Sequence, residues 1–164
     1  IFNIIGPLAN PAFPKYQLMG VYDESLAEPL AEVLHNLGVE NVMVVYGRDR
    51  LDEISLCGET FICEITGGEK KSYVITPEDI GLKRCEKSDL TGGTPAENAD
   101  ITRAILSGEK SAKRDAAVLN ASYAYHVVNP EVSPAEARKI IEDTIDTGKA
   151  MEFFSSFIAE AKED

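Results

Sequence analysis

The sequence predicts an α/β fold: a mixed, largely parallel sheet flanked by helices, with a β-hairpin extension. An apolar strand, a stretch of helical periodicity and a second apolar strand occur in that order, which predicts a parallel pair joined by a crossover. The second strand, 41–46 (NVMVVY), is almost continuously apolar. Such a run is typical of a strand covered by helices on both faces. Farther along, the apolar residues alternate with a period of two around a glycine pair, which predicts an antiparallel hairpin.

The parallel unit occupies the first part of the chain. Residues 6–14 include three prolines, which predict an ordered turn region because proline fixes its own φ and restricts the preceding residue. A strand over 16–22 (YQLMGVY) follows. The next predicted element is a helix over 25–37, opened by a capping box formed by Ser25 and Glu28.

The hairpin is predicted over 60–75, with its turn at Gly67 and Gly68. Helical segments follow it, and the same start signal occurs three times: a hydroxyl residue, then proline, then an acid within the first turn. The hydroxyl residues of this signal are Thr76, Thr94 and Ser133.

These signals predict a short turn ending near Gly81, a helix over 95–107 and a long C-terminal helix. An alanine-rich helix over 112–128 lies between the last two. The C-terminal helix carries an apolar stripe from Ile140 to Ile158, which we interpret as core packing.

Composition restricts the class of partner. The chain has 164 residues and a net charge of −12, from 28 acidic and 16 basic residues, which argues against binding to nucleic acid or to an anionic membrane. No apolar run is long enough to span a bilayer, and no secretory leader precedes the first strand. The three cysteines, Cys57, Cys63 and Cys85, lack the spacing of a zinc site or a disulfide framework, so we expect reduced thiols in a cytoplasmic protein.

An adjacent acid pair is the main candidate for chemistry. Asp52 and Glu53 follow the buried strand after a short loop, 47–51 (GRDRL). The carboxyl ends of strands are where open α/β sheets bind ligands. Adjacent carboxylates can hold Mg²⁺, whose remaining positions are filled by water and substrate phosphate oxygens. A solvated surface loop is the alternative interpretation, and the acid pair alone leaves both open.

Other candidate residues lie in sequence patterns that are less specific for a functional site. Gly47 and the pair Gly92–Gly93 can offer backbone N–H groups to an anion, but no dinucleotide or P-loop motif surrounds them, so we interpret them as turns. His35 and His126 have no partner at ligand spacing, and a structural role is expected for both.

Six strings of the sequence, taken in order, resemble one family. The resemblance is to the C-terminal half of anthranilate phosphoribosyltransferases, within the glycosyltransferase family of phosphoribosyltransferases and nucleoside phosphorylases. It covers essentially the whole chain. The strings are IFNIIGPLANP (1–11), YQLMGVY (16–22), LDEIS (51–55), TPEDIGL (76–82), GGTPAEN (92–98) and KRDAAVLNA (113–121).

The resemblance implies an enzyme of tryptophan biosynthesis that transfers phosphoribosyl from phosphoribosyl diphosphate to anthranilate with the help of Mg²⁺. Asp52 and Glu53 match the family's acid pair for the magnesium ion on the diphosphate. Gly6 and Pro7 match the glycine and proline that line the family's anthranilate tunnel. No catalytic residue is assigned.

The resemblance also predicts a domain organisation. Residues 1–164 match the C-terminal part of the large α/β catalytic domain, and the family's helical N-terminal domain and the first part of its catalytic domain are expected upstream of Ile1. The family's phosphate loop and anthranilate-binding arginine fall in that upstream part. We therefore expect the isolated chain to be inactive and to lack the family's homodimer contacts. The alternative hypothesis is a non-catalytic binding or scaffold domain that kept the family fold.

Overall fold

The computed structural model describes the backbone of residues 2–161 and the side chains of residues 4–161. Ile1, the first residue of the GPLANP-containing string, lies outside this range. The helices and strands in chain order are α1 (Phe2–Leu8), β1 (Tyr16–Gly20), α2 (Ala27–Asn36), β2 (Asn41–Gly47), β3 (Thr60–Thr66), β4 (Glu69–Ile75), α3 (Pro95–Leu106), α4 (Ala112–Val128), α5 (Pro134–Asp146) and α6 (Lys149–Glu160).

The strands form one mixed sheet in the order β1-β2-β3-β4. Strands β1 and β2 are parallel, and Leu18 is opposite Met43. The pairs β2–β3 and β3–β4 are antiparallel. The expectation of a largely parallel sheet is therefore corrected for this chain, whereas the mixed α/β fold and the hairpin are confirmed. The reason is that β3 pairs directly with β2, so the hairpin continues the sheet and contributes both antiparallel pairings.

Strand β2 is the centre of the molecule. Its residues Val42, Met43, Val44 and Val45 are all 0% exposed, as the continuous apolar run predicts. Val42 and Val44 pack into a cluster with α2 on one face of the sheet. Met43 and Val45 pack into a second cluster with α4 on the other face. The result is a three-layer arrangement that removes both faces of the strand from water.

The N-terminal prediction needs two corrections. Gly6 and Pro7 lie inside α1 and not in a turn, because the chain completes its helix before the proline-rich turn begins. The predicted capping box of Ser25 and Glu28 is also wrong. Asp23 caps instead, accepting hydrogen bonds from the Ser25 backbone N–H at 2.9 Å and the Ser25 hydroxyl at 2.7 Å.

The start signals at Thr94 and Ser133 both open α-helices with complete capping boxes, and Thr76 opens a 3₁₀ turn. The predicted long C-terminal helix is two helices. Gly148, with φ of 81°, separates α5 from α6 because this left-handed conformation ends the first helix. The predicted core stripe is only partly buried: Ile145 is enclosed, whereas Ile140 is 40% exposed.

Within residues 2–161, no helix is both long enough and apolar enough to cross a bilayer.

Candidate functional site

A small closed loop carries the chain from β2 to the acid pair. The Gly47 N–H donates to the Leu51 carbonyl at 2.9 Å, and the Leu51 N–H donates back to Gly47 at 3.1 Å. Arg50 adopts φ of 73° at the tip. The loop leaves Asp52 and Glu53 exposed directly beyond the carboxyl end of β2, where sequence reasoning expects them.

Close packing against β1 fixes the backbone of the acid pair. A Cβ built on Gly20, the last residue of β1, would lie 1.6 Å from the Asp52 carbonyl oxygen. No side chain fits in that gap. Because β1 and β2 are parallel, their carboxyl ends meet at one edge of the sheet. Gly20 allows the loop that carries Asp52 and Glu53, here called the acid loop, to cross that edge in contact with β1.

A side chain from α4 holds the next residue of the loop. The Asn120 side-chain oxygen accepts from the Ile54 N–H at 3.0 Å, and its amide nitrogen donates to the Ile54 carbonyl at 2.9 Å. The same nitrogen also donates to the Ala116 carbonyl at 3.1 Å. Asn120 therefore replaces a strand partner for Ile54 and ties the acid loop to the helix below it.

Sequence reasoning assigned Asn120 no role, although it belongs to the KRDAAVLNA string. The sequence feature that could have predicted a role for Asn120 is its polar amide in a stretch of helix that otherwise carries mostly small and apolar residues. Gly20 was missed as well, and its signal was a glycine inside an apolar strand.

A cavity of about 400 Å³ brings two of the predicted site residues together. Pro7 and Asp52 both line it, together with residues that include Gln17 and Gly20. The Gln17 amide donates to the Pro7 carbonyl at 3.4 Å, which links α1 to β1. Gly6 is exposed and does not line this cavity.

Glu53 lines a different cavity, of about 390 Å³. Lys113 and Asn98 are also in its wall, so the second carboxylate of the pair lies in a cleft that contains a basic group. The acid pair thus contributes to two neighbouring clefts, one beside α1 and one beside α3 and α4.

The glycine pair at the edge of this second cleft is an irregular segment that leads into the capping box of α3. The Asn98 side-chain oxygen accepts from the Gly93 N–H at 2.8 Å, and the Glu97 carboxylate accepts from the Thr94 N–H at 2.7 Å. Because these N–H groups have internal acceptors, they are not presented to an anion. Neither Gly92 nor Gly93 lies in a turn, so the predicted turn at this pair is corrected to an irregular segment held by the Asn98 side chain.

Both histidines contact backbone carbonyls, as structural residues do. His35 Nδ1 lies 3.2 Å from the Val39 oxygen, and His126 Nδ1 lies 2.7 Å from the Val132 oxygen. Among the described residues, no group of three or more His, Cys, Asp or Glu side chains is arranged to hold a metal ion. Any ion on the acid pair would therefore need further ligands from water or from a bound molecule.

The fold and the clefts together define an open α/β domain. Its clefts lie beyond the carboxyl ends of two parallel strands, the usual location of ligands in such sheets.

Comparison with known families places the domain more narrowly. The chain belongs to the family described as "Glycosyl transferase family, a/b domain", whose sequence model matches residues 1–151. An anthranilate phosphoribosyltransferase of Lachnoclostridium phytofermentans is 54% identical over 158 residues, which cover 96% of this chain and 47% of that protein. The expected resemblance to anthranilate phosphoribosyltransferases is thus confirmed.

Solved structures agree with this assignment. The anthranilate phosphoribosyltransferase of Thermus thermophilus superposes with a TM-score of 0.87 at 34% identity, covering 96% of this chain and 46% of that one. The Saccharomyces cerevisiae enzyme in complex with PRPP and Mg superposes with a TM-score of 0.87 at 27% identity, covering 99% and 47%. The chain spans about half the length of the relatives it matches.

Proposed function

We propose that this chain is the C-terminal part of the large α/β catalytic domain of an anthranilate phosphoribosyltransferase. The helical N-terminal domain and the first part of the catalytic domain would then lie in the other half of the protein. The observation that carries the proposal is the cavity shared by Pro7 and Asp52. One of these residues matches the family's anthranilate-binding motif and the other its metal-binding motif.

The proposed reaction transfers phosphoribosyl from phosphoribosyl diphosphate to anthranilate, a step of tryptophan biosynthesis in the cytoplasm. Gly6 and Pro7 contribute to the anthranilate site, and Asp52 and Glu53 hold Mg²⁺. The magnesium ion supplies charge neutralisation for the diphosphate as it departs from the ribosyl carbon.

The acid pair suits this ion. Both side chains are exposed, and carboxylate oxygens are ligands that Mg²⁺ prefers. The backbone that carries them is fixed by Gly20 on one side and by Asn120 on the other. Two protein ligands with the remaining positions left to water and phosphate are typical of a magnesium ion that binds together with its substrate.

The isolated chain is proposed to be inactive, because its share of the site is incomplete. The described residues provide the acid pair and a wall of the anthranilate site. The other contacts that the resemblance implies for phosphoribosyl diphosphate and for the anthranilate carboxylate belong to the other half.

A turnover assay tests the proposal. The chain is assayed alone and after it replaces the matching segment of the Lachnoclostridium phytofermentans relative, with anthranilate, phosphoribosyl diphosphate and Mg²⁺ as reactants. The joined protein is expected to form phosphoribosylanthranilate, and the chain alone is expected to show no turnover above the uncatalysed rate. The unaltered relative serves as the control.

Two results would contradict the proposal in different ways. Turnover by the chain alone would show that its site is complete. A joined protein that folds but has no activity, beside an active relative, would favour the non-catalytic binding or scaffold domain.

A further inference from the structure

A pair of thiols lies beside the acid loop. The Cys57 and Cys85 sulfur atoms are 3.6 Å apart, and no disulfide bond involves Cys57, Cys63 or Cys85. Cys57 follows the acid pair in the same loop, whereas Cys85 lies in the segment after the 3₁₀ turn Pro77–Ile80. The Cys85 N–H donates to the Leu56 carbonyl at 3.2 Å, so the backbones of the two segments are already joined next to the sulfur atoms.

The thiols are accessible to a reagent from solvent. Both line an open cavity of about 560 Å³. Its other five lining residues are all charged: Asp49, Arg84, Glu86, Lys87 and Asp89. Both cysteines are partly exposed. Cys63, in contrast, is 0% exposed on β3 and lies in the core cluster on the α2 face of the sheet.

We propose that Cys57 and Cys85 form a redox modification site that a low-molecular-weight disulfide converts to an intramolecular disulfide bond. The sulfur atoms are in van der Waals contact, and bond formation needs an approach to about 2.05 Å. A shift of about 1.5 Å shared between two partly exposed side chains is small enough for the loops to absorb. This site is separate from the phosphoribosyl chemistry and does not depend on it.

The reaction proceeds by two thiol–disulfide exchanges. The Cys57 thiol gives its proton to water, the resulting thiolate attacks one sulfur of the reagent disulfide, and one equivalent of reagent thiolate leaves and takes a proton from water. The Cys85 thiol then gives its proton to water, its sulfur attacks the Cys57 sulfur of the mixed disulfide, and the second reagent thiolate leaves and takes a proton from water. In total two protein thiols are oxidised and one reagent disulfide is reduced to two thiols.

The surroundings of Cys85 indicate which thiol attacks the reagent first and which attacks the mixed disulfide. Burial and, to a smaller extent, the contact with Cys57 raise the pKa of the Cys85 thiol to about 12. Cys85 is therefore protonated at neutral pH and is a poor first attacker, since the thiolate is the nucleophile. In the second step the attacked sulfur is already held 3.6 Å away, and this proximity favours the attack by Cys85. The product links the loop that carries Asp52 and Glu53 to the segment that follows Leu82.

Treatment of the 164-residue chain with oxidised glutathione tests the proposal. Intact-mass analysis is expected to show a loss of about two mass units, and peptide mapping is expected to link the Cys57 and Cys85 peptides. The melting temperature is expected to rise by roughly 5 °C or more and to return on reduction, because the cross-link restricts the unfolded chain.

Three serine variants sharpen the test. Cys57→Ser and Cys85→Ser should each lose the cross-link. Cys85→Ser should keep one glutathione on Cys57 as a stable mixed disulfide, whereas Cys85 in Cys57→Ser should take up glutathione more slowly. Cys63→Ser, the matched control, should form the cross-link as the unaltered chain does. Circular dichroism checks the fold of each variant. If a variant does not fold, peptide mapping of the unaltered chain still tests for the Cys57–Cys85 cross-link.

The proposal would be overturned if the unaltered chain accumulated two glutathione adducts without a cross-link, or if neither thiol reacted. A cross-link that includes Cys63 would overturn it as well.

Discussion

At the scale of single residues, Asn120 is the side chain on which the acid loop depends most directly. It satisfies both backbone polar groups of Ile54, a residue that is 2% exposed. A buried N–H or carbonyl that loses its partner costs about 1–3 kcal/mol. The asparagine therefore has a structural effect on residues that it does not touch, the two carboxylates immediately before Ile54.

We expect Asn120→Ala to lower the free energy of unfolding by about 2 kcal/mol, since it leaves both groups of Ile54 unpaired. Urea unfolding measures this loss. Hydrogen exchange gives a more local readout, because the Ile54 amide should lose its protection while amides in the centre of β2 keep theirs.

Asn36→Ala is the matched control, because Asn36 is exposed at the end of α2 and its removal should change stability by less than about 0.5 kcal/mol. Equal effects of the two substitutions, or an unchanged Ile54 amide in Asn120→Ala, would contradict the role given to Asn120.

At the scale of elements, the site depends on how closely β1 and the acid loop approach each other. Gly20→Ala places a methyl group where the Asp52 carbonyl oxygen lies. The obstacle is backbone, so a side-chain rotation cannot relieve it. We expect a loss of stability of about 1–3 kcal/mol from this overpacking, measured by urea unfolding, and a displaced acid loop.

Gly58→Ala is the control for this change. A Cβ at Gly58 meets nothing within 4 Å, so stability should stay nearly constant. If Gly20→Ala were as stable as Gly58→Ala, the loop would not be held by its contact with β1.

A second contact between elements depends on pH. His126 of α4 lies 3.5 Å from the Glu64 carboxylate of β3. This contact raises the pKa of His126 above its ordinary value and lowers the pKa of Glu64. The histidine therefore stabilises the fold below its unfolded pKa of 6.5, and this contribution is lost as the pH rises through the raised folded pKa.

The contribution of Glu64 to stability changes with pH in the opposite direction. The contribution of Glu64 is present above its unfolded pKa of 4.5 and is lost as the pH falls through the lowered folded pKa. The pair is thus most stabilising between these two ordinary values. Urea unfolding of the unaltered chain should give a lower free energy at pH 9 than at pH 6, and the part due to His126 should disappear in His126→Gln.

His35→Gln is the control, and it should retain the pH dependence. A pH dependence that is the same in His126→Gln as in the unaltered chain would show that the His126–Glu64 contact contributes nothing to it.

At the scale of the whole molecule, the features that the sequence predicts are those set by local pattern. The burial of β2 follows from its uninterrupted apolar residues, and the hairpin follows from the period of two around Gly67 and Gly68, which have φ of 59° and 81°. The start of α3 follows from Thr94, because a capping box involves residues only three positions apart.

Features that depend on distant residues were not predicted. The hydrogen bonds between Asn120 and Ile54 join residues 66 positions apart. The contact of Gly20 with Asp52 depends on how the acid loop packs against β1. The break at Gly148 was missed because the apolar periodicity continues across it. The position of the acid pair could be predicted, since it needs only the end of β2, but the two separate cavities beside it could not.

The central claim concerns the acid pair, and one measurement tests it most directly. In the joined enzyme described above, Asp52→Ala/Glu53→Ala should lower kcat/KM by roughly 100-fold and increase the magnesium concentration needed for half-maximal turnover. Stability should change by less than about 0.5 kcal/mol per substitution, because both side chains are exposed.

Glu69→Ala/Asp143→Ala removes the same charge from exposed positions outside both clefts and should leave turnover unchanged. Normal magnesium-dependent turnover in the acid-pair variant, accompanied by a large loss of stability, would contradict the claim and make Asp52 and Glu53 structural residues.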